Sequence, residues 1–122
     1  MVAPDLPDAS IERFCALAQG GAALEFSIGT GRVAIALLCR GVPVSGIEIA
    51  PPMVTRLRRC EDAAAIPVVI GDRTTARVPG EFALVFLVFN GLPNRLTQDD
   101  QIACFHNAAR HLAPAGRFVI DS

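Results

Sequence analysis

Apolar positions along the chain switch between two rhythms. "AALEFSI" (residues 22–28), "VPVSGIEIA" (42–50), "IPVVIGD" (66–72) and "FALVFLVFN" (82–90) are nearly unbroken apolar runs. Strands of a sheet covered on both faces read this way. Between these runs apolar residues recur three or four apart, the spacing of amphipathic helices. Ile11, Phe14, Leu17 and Ala18 stripe a first helix, with Asp8 or Ser10 as its cap and Gly20-Gly21 as its stop. A second helix over residues 32–40 leaves directly from Gly31 and stops at Gly41. Pro51 opens a third, with Met53, Leu57 and Cys60 at helical spacing. Thr97 and Asp100 stand at capping-box spacing before a fourth, whose predicted apolar face is Ile102, Phe105, Ala109 and Leu112. "APAG" (113–116) is expected to break that helix, and "RFVIDS" to start a fifth strand. "RTTARVPGE" (73–81) and "GLPNRL" (91–96) read as loops. Alternating strands and helices predict an α/β fold around a parallel sheet.

Composition narrows this further. At 122 residues the chain is expected to be one domain, with an N-terminal helix at about 8–20 and a core over 22–122. Its 52% hydrophobic content and mean hydropathy of +0.43 fit a sheet buried on both sides. The longest apolar run, residues 82–89, is far too short to span a bilayer. No membrane partner is expected. Net charge is −1, and Arg56, Arg58 and Arg59 read as a solvated helix face. With Trp and Tyr both absent there is no stacking platform for single strands, so no nucleic-acid partner is expected. The N-terminal "MVAPDLPDAS" has neither the basic region nor the apolar core of a signal peptide. Cys15, Cys39, Cys60 and Cys104 fall in helical stretches with no C-x-x-C pair, so they read as reduced core thiols of a cytoplasmic protein. No metal site is expected.

The candidate chemistry gathers at strand ends. Gly29-Thr30-Gly31 joins the first strand to a helix, a place where backbone N–H groups face a ligand and a Cβ would block its approach. Glu48 ends the second strand seventeen residues past Gly31, about where an acid reaches ribose hydroxyls. "GTGRVA" also satisfies a dinucleotide fingerprint with alanine in its last glycine position. Glu25, however, sits in the strand just before the loop, where it would repel a pyrophosphate and suit a cationic ligand. Asp72 ends the third strand, placed to accept from an adenine amino group. Three acids at successive strand ends in a chain without lysine favour a positively charged nucleoside.

These residues carry a resemblance. "EFSIGTG", "GIEIAPPMV", "IGD" and "LVFNGLPNRLTQDDQIACFHNAARHLAPAGRFVIDS" together resemble the class I S-adenosylmethionine-dependent methyltransferases, in particular the bacterial small-molecule branch, over residues 8–122. The resemblance implies a Rossmann-like three-layer sandwich with strand order 3-2-1-4-5. It implies S-adenosyl-L-methionine as cofactor and methyl transfer to an O, N or C nucleophile of a small molecule. The cofactor site it implies comprises Glu25, Ser27, Gly29, Thr30, Gly31, Glu48, Ile49, Met53, Gly71, Asp72, Arg73, Phe89 and Asn90. Asn90 reads equally as a turn residue, and His106 and His111 read as structural or solvent-facing. No general base is evident.

The chain departs from the family pattern in four places. Ser27 replaces the first glycine of the loop, and Ala50 replaces a serine cap at a cost of roughly 1 kcal/mol. Ala115 stands where "P-G-G" has its second glycine. Two further strands that help form the family's acceptor pocket are not seen, so the chain reads as truncated after the fifth strand. Turnover is then expected to be impaired, and the strand edge at residues 118–120 open to self-association. A NAD(P)-binding oxidoreductase domain and a non-catalytic methyltransferase-like fragment are the alternatives.

Overall fold

A computed structural model describes residues 7–88 and 97–121. Phe89, Asn90 and the "GLPNRL" loop lie outside the described residues. The chain runs α1 (Asp8–Ala18), β1 (Ala23–Phe26), α2 (Arg32–Cys39), β2 (Val44–Glu48), α3 (Pro51–Arg59), a 3₁₀ turn (Glu61–Ala63), β3 (Val68–Ile70), β4 (Phe82–Val88), α4 (Gln98–Ala109) and β5 (Leu112–Asp121). The five strands pair in parallel in the order β3-β2-β1-β4-β5, as the resemblance implied.

Two cores cover the sheet. On one face Ile11 and Phe14 of α1 and Ala34 and Leu37 of α2 pack with Leu84 and Phe86 of β4. The Phe14 and Phe86 ring centroids lie 4.8 Å apart. On the other face Leu24, Phe26, Val85 and Leu87 meet Cys104 and Ala108 of α4. Central β1 is buried at every residue, which accounts for its unbroken apolar run and isolates Glu25 as the exception.

The structure corrects several expectations. Neither Asp8 nor Ser10 caps α1: Pro7 is the N-cap with no side-chain bond, and Asp8 is the first helical residue. β1 ends at Phe26 because Ser27 turns into the left-handed region, φ 59°. Thr97 does cap α4, its Oγ1 accepting the Asp100 N–H at 3.0 Å. The face of α4 is different, however. Ile102, Phe105 and Ala109 are exposed, while Cys104, Asn107 and Ala108 are buried, with His111 just beyond. Counting only apolar residues missed that face, because half of it is polar and satisfied by hydrogen bonds. "APAG" does not separate helix from strand but lies inside β5. There Phe82 pairs Leu112 and Leu84 pairs Arg117, so β5 carries three extra residues, with Ala115 at φ 67°. Of the four thiols only Cys104 is buried, and Cys39 is exposed. Nor is Arg58 merely solvated: its Nη1 donates to the carbonyls of Ala63, Ala64 and Ile66 and ties the turn after α3.

Candidate cofactor site

The site lies at the carboxyl ends of β1, β2 and β3, where parallel strands hand over to loops. Its fixed point is Glu48, the last residue of β2 and only 7% exposed. Glu48 Oε1 accepts the Gly29 N–H at 2.8 Å, and Oε2 accepts the Ala50 N–H at 3.0 Å. One carboxylate thus holds the glycine loop and the entry to α3 together. An ionised carboxylate has about four acceptor positions, so each oxygen retains room for a hydroxyl donor. Ala50, the N-cap of α3, has no capping side chain, as expected from the lost serine.

The glycine loop is shaped by backbone geometry. Gly29 and Gly31 adopt φ of 60° and 83°, which few other residues tolerate. A Cβ on Gly31 would lie 3.1 Å from Leu57 Cδ1, so this glycine also lets α3 close on the loop. Met53 Cε packs over Gly29, 3.5 Å from where its Cβ would be. Ser27, also at positive φ, occupies a position suited to glycine and holds it with a side-chain bond: Arg73 Nη1 donates to Ser27 Oγ at 3.0 Å. Arg73 thereby reaches from the loop after β3 across to the loop after β1.

Beside Glu48 opens a cleft of about 360 Å³, lined by Ser27, by Ile47 and Ile49 of the β2 end, by residues 71–74, and by Asp100 of α4. Ile49 is 66% exposed, an apolar floor facing the cleft. Asp72 Oδ1 accepts from the Thr74 N–H at 2.8 Å and from Thr74 Oγ1 at 2.6 Å, and these bonds hold its carboxyl below the ordinary range. Asp72 is therefore both a turn former and a cleft residue. Of the thirteen residues expected here, Ser27, Ile49, Gly71, Asp72 and Arg73 line the cleft. Gly29, Glu48 and Met53 do not line it but gather around the glycine loop, while Thr30 and Gly31 build the turn into α2. Glu25 is buried behind them, and burial, then the charge on Glu48, pushes its carboxyl well up.

The sequence reading missed the device that holds Arg73. Asn107 Nδ2 donates to the Arg73 carbonyl at 2.8 Å and the Ala76 carbonyl at 3.0 Å. The Val78 N–H donates to His111 Nε2 at 3.0 Å, which leaves the ring proton on Nδ1, facing the Asn107 carbonyl at 2.7 Å. His111 is thus an acceptor in a buried network. Its structural role agrees with expectation. Thr74 and Asp100 were also missed. Polar residues breaking the apolar face of α4 were the available signal.

Residues 23–116 match the family described as "Methyltransferase domain", and the chain belongs to that family. Solved structures extend the likeness. The CcbJ methyltransferase from Streptomyces caelestis is 34% identical with a TM-score of 0.79, covering 97% of this chain and 50% of its own. SAM-bound CalS10 from Micromonospora echinaspora, an amino pentose methyltransferase, is 25% identical with a TM-score of 0.75, covering 93% and 48%. The glycopeptide N-methyltransferase MtfA complexed with SAM shares the fold at 22% identity and a TM-score of 0.76, covering 91% and 52%. The chain therefore spans about half the length of these proteins. No curated protein matches it in sequence. The NAD(P)-binding alternative finds no support in these matches. Among the described residues no helix is long and apolar enough to cross a membrane.

Proposed function

We propose that residues 22–122 bind S-adenosyl-L-methionine at the ends of β1, β2 and β3 and serve methyl transfer to an O, N or C nucleophile of a small molecule. The observation that carries this reading is Glu48, whose two oxygens are anchored by the Gly29 and Ala50 N–H groups. A carboxylate so held is pre-oriented for a ribose diol, and hydrogen bonds to a charged acceptor are strong. Ile49 and the cleft wall at residues 71–74 suit an adenine, with Asp72 facing its amino group. The loop at residues 27–31 suits the methionyl part, because glycines at positions 29 and 31 let a ligand approach the backbone. When bound, the cofactor supplies a methyl already activated by its sulfonium. The protein's part is then to hold that methyl in line with a nucleophile.

The free thiols at Cys15, Cys39, Cys60 and Cys104 support a cytoplasmic setting. A second copy is the proposed protein partner. β5 lies at one edge of the described sheet, with Ile120 partly exposed on it and Ile102 and Phe105 exposed on adjoining α4. An apolar edge of this kind pairs readily with another chain. Light scattering is expected to show mass rising with concentration, and a monomer throughout would reject the pairing. For the cofactor, the test is calorimetric titration with S-adenosylmethionine, S-adenosylhomocysteine and NAD. Saturable binding of the two adenosyl sulfur ligands with none of NAD is expected. Tighter binding of NAD would overturn the assignment.

A further inference from the structure

Among the described residues Glu25 is a buried carboxyl that lines no part of the cleft. It lies in the middle of β1, paired across to Gly46 of β2 and Phe86 of β4, and is 4% exposed. Its Oε1 is fully buried and has no hydrogen-bond partner among the described residues. A structural acid in this position would be satisfied by a donor, since an unpaired buried charge is strongly unfavourable. Among the described residues no cation acts on it in place of a donor. Glu48, two residues beyond Gly46 on the same face of the sheet, is the charge that acts on Glu25, and it is negative. Neither β4 nor the loop over residues 27–31 has a titratable side chain. Glu12 and Arg13 of α1 and Arg32 of α2 are exposed, and Arg73 directs its guanidinium to Ser27. Burial and the Glu48 charge both favour the protonated carboxyl.

The strand carrying Glu25 runs directly into the loop assigned above to the methionyl part of the cofactor. That ligand comes in two charge states. The methyl donor carries a sulfonium, an ammonium and a carboxylate, a net single positive charge. The spent product has lost the sulfonium charge and is neutral overall. We propose that Glu25 is a charge-selecting residue: protonated in the free protein, it releases that proton to solvent when the cationic donor binds and stays protonated beside the neutral product. The inference rests on the cofactor reading of the same cleft. Its consequence is directional, because a carboxylate formed only beside the donor strengthens donor binding and not product binding. The site then loosens on its ligand once the methyl has left.

The test is calorimetry on the intact chain in two buffers of different ionisation enthalpy, from which proton release is read directly. Three probes are used: S-adenosylmethionine, S-adenosylhomocysteine, and sinefungin, which carries a protonated amine in place of the methylsulfonium. Close to one proton is expected to leave with either cationic ligand and close to none with S-adenosylhomocysteine. Donor affinity is then expected to rise about tenfold per pH unit where Glu25 is protonated free and ionised bound, while product affinity stays flat. In Glu25→Gln both the proton release and this pH dependence should vanish, with product binding retained. If that variant does not fold, the three-ligand comparison on the unaltered chain decides alone. Equal proton release with donor and product, or release that persists in folded Glu25→Gln, would overturn the inference and leave the cofactor reading standing. Failure of the folded chain to bind any of the three would overturn the cofactor reading itself, and the inference with it.

Discussion

Replacing Glu48 with glutamine keeps the volume of the side chain and removes one acceptor and one charge. The structure lets the consequence be worked out. Both carboxylate oxygens accept backbone N–H groups, from Gly29 at 2.8 Å and Ala50 at 3.0 Å. An amide has one oxygen, so in either orientation its NH₂ faces one of those N–H groups. If it turns to Ala50, the uncapped start of α3 loses its anchor; if it turns to Gly29, the glycine loop does. One part-buried donor is left unpaired, at about 1–3 kcal/mol of stability. Part of this is offset, because removing the Glu48 charge also relieves Glu25, on which it acts. We therefore expect Glu48→Gln to destabilise the fold by about 1–2 kcal/mol in urea unfolding. Ligand binding should suffer more, since a ribose hydroxyl loses a charged acceptor worth about 1.5–3 kcal/mol, or roughly ten- to a hundredfold in Kd. Calorimetry with S-adenosylhomocysteine is the direct assay, with circular dichroism to confirm folding. A folded variant that binds within twofold of the unaltered chain would show that Glu48 only braces the loops.

Three further outcomes are expected. Ala115→Gly should raise stability by about 0.5–1 kcal/mol in thermal or urea unfolding, because Ala115 adopts φ 67° and a left-handed alanine costs more than the extra freedom glycine brings to the unfolded chain; a lower midpoint would contradict this. Asn107→Ala should cost about 1–3 kcal/mol, since the Arg73 and Ala76 carbonyls both lose their donor, and should weaken S-adenosylhomocysteine binding through the displaced loop; unaltered binding would separate the clamp from the site. The free protein should lose stability as pH rises above about 4.5, the ordinary value for Glu25, because its carboxyl titrates higher when folded and the native state then holds the extra proton. The slope is at most about 1.4 kcal/mol per pH unit for one group, ending at the folded pKa, and Glu25→Gln should flatten it in urea midpoints measured from pH 5 to 8.

Much of the architecture was legible because four of the five strands stand in the sequence as apolar runs. Glu48 and the glycines at positions 29 and 31 were legible for a related reason: their chemistry is local, an acid at a strand end and backbone at positive φ. What escaped depends on contacts distant in sequence. Asn107 and His111 look like interruptions of an amphipathic pattern until the loop they bind, more than thirty residues earlier, is in view. Phe105 and Ile102 were assigned to the core by spacing alone, yet the helix turns them outward because the polar pair has better partners inside. Arg58 is similar, an ordinary surface cation in sequence whose three carbonyl acceptors appear only after the chain turns back. The extra residues in β5 leave no periodic trace, since a bulge disturbs the pairing without disturbing composition.

Asn107 of α4 and His111 just beyond it hold the loop after β3 by main-chain atoms: the carbonyls of Arg73 and Ala76 and the N–H of Val78. Asp72 and Thr74 shape the start of that loop, and beyond them its path is held from outside, by Asn107 and His111. Thr75 and Arg77, both solvent-facing, can be exchanged without redrawing the backbone beneath them. The outer face of the loop is thus open to change while residues 71–74, the part that lines the cleft, keep their course. One buried amide and one buried imidazole carry that stability, and neither reaches the solvent that the loop faces.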